Sequence, residues 1–307
     1  MRQVILDGNN LLFAAAATTG HLTNGTVFGF LNIVRASMKR FNGTDIQEYM
    51  IAWDKPSWRK EVFPEYKMNR VNEEDLAKKQ FLENMGKQKK ILQQFFFPHM
   101  PIQQLTAEHY EADDIAAFYS KICRPIPDSA ADLISLTGEN PNPENKELYL
   151  VSNDKDWLQL VHENCTVYRP KRDVLITPSN FEEITGLPTP QHFTKYLCLT
   201  GDPVDNIAGV YGVGEVTVKK FVLNQLSKGK KFDDIMEFMN NGSFDVNMNL
   251  INLDFEEHAI HEFELEIAPH KYDFNEFIKS CQFWKMASFI VKQQEWKDLM
   301  DSWSYKS

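Results

Sequence analysis

Nine acidic residues, distant from one another along the chain, carry the strongest chemical signal in the sequence. Asp7 and Asp54 each close a short apolar run, Val4-Ile5-Leu6 and Tyr49-Met50-Ile51-Ala52-Trp53. Glu111, Asp113 and Asp114 open the stretch Ile115-Ala116-Ala117-Phe118, and the i, i+3 spacing of Glu111 and Asp114 puts them on one helical face. Asp154 and Asp156 follow Leu148-Tyr149-Leu150-Val151, and alternate residues of an extended chain point the same way. Asp202 and Asp205 complete the set in Gly201-Asp202-Pro203-Val204-Asp205-Asn206. Singly, each has a plain explanation, as a turn residue or as an acid favoured in a first helical turn. Gathered in one place, so many like charges cost several kcal/mol unless cations neutralise them. Oxygen-only donors select Mg²⁺ or Mn²⁺. Two such ions about 4 Å apart can activate a water and stabilise a leaving oxygen at phosphorus, without a histidine base.

The elements that must position these acids follow an α/β pattern. Val4–Leu6, Tyr49–Trp53, Leu148–Val151 and Cys165–Tyr168 read as buried strands, with helical periodicity from about Thr26 and over 111–122. Strands alternating with helices imply a mostly parallel central sheet flanked by helices. Ligands in such sheets sit beyond the carboxyl ends of the strands, where three of these runs end in aspartate. The stretch 55–105 is long for a crossover and reads as an insertion above the strand ends, helical from about Glu73 to Gln94. Residues 128–147, with Gly138, Pro141 and Pro143, read as a surface loop. The expected division is an α/β core over 1–190 and a helical region over 191–307.

Composition narrows the partners less than it first suggests. At 307 residues, 43% hydrophobic and 25% charged, the chain has the make-up of a globular protein. No apolar run approaches the ~18 residues of a membrane span, and Asp7 interrupts the start too early for a secretory leader, so a cytoplasmic monomer is expected. Cys123, Cys165, Cys198 and Cys281 show no C-x-x-C pairing and read as buried thiols. His258 and His261 share an i, i+3 spacing, but no third ligand is evident in the sequence. A net charge of −10 argues against nucleic acid, yet residues 55–90 hold ten Lys/Arg against six acids. Alone, that window reads rather as a solvated amphipathic helix.

Asn206 to Glu215, reading Asn-Ile-Ala-Gly209-Val-Tyr-Gly212-Val213-Gly214-Glu, leads into Thr217-Val218-Lys219-Lys220-Phe221. Glycines about a hydrophobic residue before a helix start let backbone N–H groups meet a phosphate. Such a helix-hairpin-helix positions a strand without reading bases. A dinucleotide loop is the rival, but the glycine spacing departs from G-x-G-x-x-G and no strand precedes it.

In this order, Ile5-Leu6-Asp7-Gly8-Asn9, Ala52-Trp53-Asp54, Phe63-Pro64-Glu65-Tyr66-Lys67-Met68-Asn69-Arg70, Glu111-Ala112-Asp113-Asp114, Asn153-Asp154-Lys155-Asp156, Gly201–Asn206 and the hairpin span about residues 4–221. So arranged, the chain resembles the 5′-nuclease (flap endonuclease) superfamily, and most of all phage enzymes of the T4 ribonuclease H and T5 exonuclease type. The resemblance implies a PIN-like α/β core in which Asp7, Asp54, Glu111 and Asp113 surround one Mg²⁺. Asp114, Asp154, Asp156 and Asp202 would surround the second, with Asp205 nearby and Mn²⁺ able to substitute. It makes 55–105 an arch over a free 5′ end, with Lys67 and Arg70 on the scissile phosphate and Tyr66 stacked on a base. Gly209, Gly212, Val213, Gly214, Lys219 and Lys220 would grip duplex, with K⁺ held by hairpin carbonyls. The implied substrates are flaps, nicked DNA and RNA–DNA hybrids, with phage replication proteins as partners. A phosphatase with a D-x-D nucleophile does not fit Asp7-Gly8-Asn9. A non-catalytic homologue would have lost acids that are all present.

Overall fold

The computed structural model describes residues 2–42, 44, 46–70, 76–125, 146–253 and 261–304. Its frame is a seven-stranded sheet built from β1 (Arg2–Asp7), β2 (Ile46–Ala52), β3 (Gln103–Ala107), β4 (Glu147–Val151), β5 (Cys165–Arg169), β6 (Val174–Ile176) and the late strand Leu265–Ile267. The spatial order is β6-β5-β4-β1-β2-β3 and then Leu265–Ile267. β1 pairs in parallel with β2 and β4, and the two edge strands run antiparallel. The four expected strands are present. β3, β6 and Leu265–Ile267 carried no clear apolar signal, since β3 reads Gln-Gln-Leu-Thr-Ala and the other two are three residues long.

Alternation along the strands divides the core into two layers. Val4 and Leu6 of β1 join Tyr49 and Ile51 of β2 on one face, against α1 (Gly8–Thr19) and α2 (Gly25–Arg40). Ile5, Met50, Ala52, Leu148 and Leu150 face the other layer, formed by Ala112–Cys123, Pro190–Thr200 and Glu215–Val222. α1 was not expected from the sequence. It starts because the Asp7 carboxylate accepts from the Asn10 N–H at 3.0 Å, an N-cap formed by a residue read only as a metal ligand.

The division expected at residue 190 is crossed by the chain. After helices 190–251, Leu265–Ile267 adds to the sheet edge, and helices Phe274–Phe283, Ala287–Val291 and Gln293–Ser304 pack on the α1–α2 face. Trp303 stacks on Tyr49 at 3.6 Å, and Phe289 on Phe28 at 5.0 Å. Over 55–105 the described helix runs Leu76–Ile91 and widens to a looser turn at Leu92–Phe96, and residues 73–75 of the expected 73–94 lie outside the described residues. Its first half is exposed. Its end reaches the core, where Gln88 accepts from the Val27 N–H. Residues 128–145 of the expected 128–147 loop lie outside the described residues. No described helix is long and apolar enough to cross a membrane.

Trp296 is fully buried between Phe277 and Phe289. Trp296→Ala should therefore cost about 3–5 kcal/mol of global stability, read from the denaturant midpoint. An unchanged midpoint would mean that the terminal helices are not part of the cooperative unit.

Candidate active site

Register sets the site. Asp7 pairs with Ala52, two residues before Asp54, and Leu6 pairs with Val151, so Ser152 to Asp154 emerge level with Asp7. Ser152 donates to Asp7 at 2.6 Å and also accepts from the Asp154 N–H at 2.9 Å. Asp54 accepts from the Ala112 N–H at 2.9 Å and from the Asn9 amide, which ties β2 to the starts of both α1 and α5 (Ala112–Cys123). Asp113 accepts from the Trp157 indole at 2.6 Å. Ser152 and Trp157 had no sequence signal beyond lying beside the acids, and Asn9 was quoted within the first motif without a role.

Eight of the nine acids form one electrostatic group. Burial pushes Asp7 up to about 7, with the charges of Asp54 and Asp154 adding to it. Burial, then Asp154, Asp202 and Asp205, take Asp156 to about 8 against the pull of Lys155. Asp113 is raised well above the usual range by burial, then by Asp154, Asp7 and Glu111. Asp54 is raised by burial and by Glu111. For Glu111 burial also acts upward, but Lys67 and Arg59 outweigh it and hold the carboxyl low. Asp154 therefore bridges the two sets that the resemblance kept separate.

Asp114 is the exception. Both its oxygens take Arg59, at 2.8 and 2.9 Å, and one also accepts from the Glu111 N–H. It is the capping residue of the plainer reading, bound to a buried cation rather than aimed with the others. Arg59, which further donates to the Leu250 carbonyl at 2.8 Å, was counted in the sequence only as basic surface. The pair is 3% and 8% exposed at its side chains, so either partner alone would be an uncompensated buried charge.

Cations of the insertion reach into the cluster. Lys67 bonds Glu111 and lies 3.9 Å from Asp205, while Arg70 pairs with Asp205. Lys155 lies 3.2 Å from Asp202. Lys89, at the end of the 76–91 helix, donates to Asn9 at 2.9 Å, so it touches Asp54 through one amide. Tyr66 does not fit the role of a base-stacking ring. It is 3% exposed, its hydroxyl donates to Glu111 at 2.9 Å, and it lies 3.3 Å from Asp205. These internal donors hold the oxygens apart. The His and Glu trio whose ligand atoms draw within 4.8 Å lies elsewhere among the described residues, at Glu61, His109 and His261. An open, all-oxygen cluster of this kind suits an ion that keeps part of its water shell.

The Gly-rich turn lies between helices Pro190–Thr200 and Glu215–Val222. Gly209 lies against Thr200, where a Cβ would meet its carbonyl oxygen at 2.1 Å. Gly212 has φ +68, and Gly214 precedes the second helix, both in open space. Val213 is half-buried and anchors the turn to the core. Lys220 is exposed, whereas Lys219 turns inward and donates to the Thr185 carbonyl at 2.8 Å. Tyr211, 97% exposed, and Lys230 and Lys231, in the cleft beside it, were not singled out in the sequence.

Residues 2–186 match the family model described as the 5′-3′ exonuclease N-terminal, resolvase-like domain. The chain belongs to the 5′-3′ exonuclease family. It is thereby a nuclease, a hydrolase of phosphodiester bonds. A 5′-3′ exonuclease of Buchnera aphidicola is 28% identical over 246 residues, covering 78% of this chain and 73% of that protein. One from Aquifex aeolicus is 26% identical over 301 residues, covering 93% of each. Among solved structures, a bacteriophage T5 flap endonuclease complexed with DNA and metal ions superposes with a TM-score of 0.58 at 22% identity, covering 83% of this chain and 90% of that one. That likeness establishes the shared fold of the exonuclease core.

A carboxyl raised by folding keeps a proton that the unfolded chain, at 3.8, has already lost. The stabilisation is therefore complete below about pH 3.8 and disappears as pH rises through the folded values of about 7 and 8. Metal-free protein should lose thermal stability between pH 5 and 8 more steeply than Asp156→Asn, and excess Mg²⁺ should flatten the difference. Equal slopes for the two metal-free proteins would refute the placement of Asp156 in this cluster.

Proposed function

We propose that the chain hydrolyses phosphodiester bonds near free 5′ ends, on flaps, nicked duplexes and RNA–DNA hybrids, with two divalent cations. The observation that carries this reading is the single group of eight acids at the strand ends, with Lys67 and Arg70 from the insertion inside it. Like-charged buried carboxyls whose proton affinity is raised fit a cation partner by their donor chemistry. Asp7, Asp54, Glu111 and Asp113 would hold one Mg²⁺ or Mn²⁺, and Asp156, Asp202 and Asp205 the other, with Asp154 facing both. Bound there, the ions would supply an ionised water and charge stabilisation for the leaving oxygen.

The chain's own residues account for the remaining steps. Lys67 and Arg70 exchange their carboxylate partners for the scissile phosphate and stabilise its developing charge. Tyr66 orients Glu111 through its hydroxyl and keeps that carboxylate fixed when Lys67 leaves it. The N–H groups of the Gly212–Gly214 turn, backed by Lys220, Lys230 and Lys231, hold a backbone phosphate of the duplex. Exposed Tyr211 offers a face for stacking. Removal of primer-derived 5′ ends in phage replication is the task this reading assigns.

End-labelled flap, nicked and hybrid substrates with Mg²⁺ give the test. Asp202→Asn should lower cleavage by more than the roughly 100-fold that outer-shell changes reach, with substrate binding retained. Lys67→Ala should slow single-turnover cleavage about 10²–10³-fold, the scale of one lost transition-state donor, while duplex affinity changes little. Full activity in both variants would refute the assignment.

A further inference from the structure

Outside the carboxylate cluster, the fold brings together three residues that the proposed chemistry does not use. Glu61 lies in the short helix Arg59–Val62, His109 in the turn between β3 and α5, and His261 ahead of the edge strand Leu265–Ile267. His261 Nε2 is 3.0 Å from both carboxylate oxygens of Glu61, and His109 Nδ1 is 3.4 Å from one of them. The two imidazoles stack at 4.1 Å with planes 16° apart. One ligand atom from each residue falls within 4.8 Å of the other two. From sequence, His261 had a neighbour at i−3 but no third ligand; the fold supplies a carboxylate and an imidazole from distant segments.

We propose that Glu61, His109 and His261 form a site for a transition-metal ion of the zinc type, separate from the nuclease centre. Ligands about 2.0–2.2 Å from a tetrahedral Zn²⁺ stand about 3.3 Å apart, close to the 3.0 and 3.4 Å within this trio. Two imidazole nitrogens and a carboxylate oxygen select Zn²⁺ over Mg²⁺, a selectivity that the all-oxygen cluster, without nitrogen donors, lacks. The side chains are 49%, 45% and 30% exposed, so an ion can enter from solvent and a water can complete the shell. The simple alternative is a histidine–glutamate ion pair. It accounts for one ring on Glu61, whereas here nitrogens of two stacked rings converge on the same carboxylate, as ligands of one ion do.

The backbones of this trio are already tethered. Trp58 N–H donates to the His109 carbonyl at 2.8 Å, and the Tyr110 hydroxyl to the His261 carbonyl at 2.5 Å. Glu61 is two residues from Arg59, the clamp on Asp114, and His109 is two residues from Glu111. An ion bound to the trio would staple the base of the insertion to the turn that presents Glu111. Its role is structural.

Equilibrium dialysis against micromolar Zn²⁺ in excess Mg²⁺ provides the test, run in the native chain and in an Asp154→Asn/Asp202→Asn background. Both should retain one tightly bound Zn²⁺. His261→Ala, Glu61→Gln and His109→Asn should each lose it, the last chosen because Asn tolerates the positive φ of 68 at that position. X-ray absorption at the zinc edge should show imidazole scattering, and Zn²⁺ should raise Tm only where the trio is intact. No zinc uptake by the native chain, equal uptake by His261→Ala, or loss of zinc in the aspartate background would each overturn the proposal. None of these outcomes depends on nuclease activity.

Discussion

Repulsion among buried carboxylates is the constraint that the rest of this structure answers. A parallel sheet delivers Asp7, Asp54 and Asp154 to one level at its carboxyl end, and α5 and the 201–206 turn add the others. Unopposed, such a group would protonate or push its elements apart. The chain opposes it with fixed donors and mobile cations. Ser152, Asn9, the Ala112 N–H and Trp157 each hold one carboxylate oxygen, and Lys67, Arg70 and Lys155 bring positive charge. The cations come from flexible side chains that a phosphate or metal ion can displace.

The Arg59–Asp114 pair solves a different problem. Its guanidinium is shielded from water and bonded to both carboxylate oxygens and to the Leu250 carbonyl, so it joins the insertion, α5 and a C-terminal helix. Burying such a pair seldom adds net stability, but it allows only one arrangement of the parts it joins. That arrangement sets where Glu111 and Lys67 meet. The positional precision of the cluster thus rests on a charge pair outside it.

Much of this was legible in the sequence because strand-end position and burial follow from short-range pattern. The runs ending in Asp7, Asp54 and Asp154 identified both the sheet and the edge at which the acids gather. Asp114 was misassigned because capping and metal ligation use the same residue type at the same helix position, and only the buried Arg59 distinguishes them. Tyr66 received its base-stacking role from the family resemblance alone, which does not show the carboxylates that its hydroxyl meets. Lys219 looked like its neighbour Lys220, and the roughly 100° of helix rotation between them decides which one faces solvent. The edge strand Leu265–Ile267 was illegible because its pairing partner lies about 160 residues upstream, and β6 because three residues are too few to show a period.

Proton release on Mg²⁺ binding tests the central claim most directly. Calorimetric titrations near pH 7, in buffers of different ionisation enthalpy, count the protons displaced per ion. If the acids share one buried pocket with raised proton affinity, binding will release protons, and Asp156→Asn will reduce the count. Mg²⁺ binding with no proton release in the native chain would show carboxylates already ionised and mutually distant, which contradicts a single shared pocket.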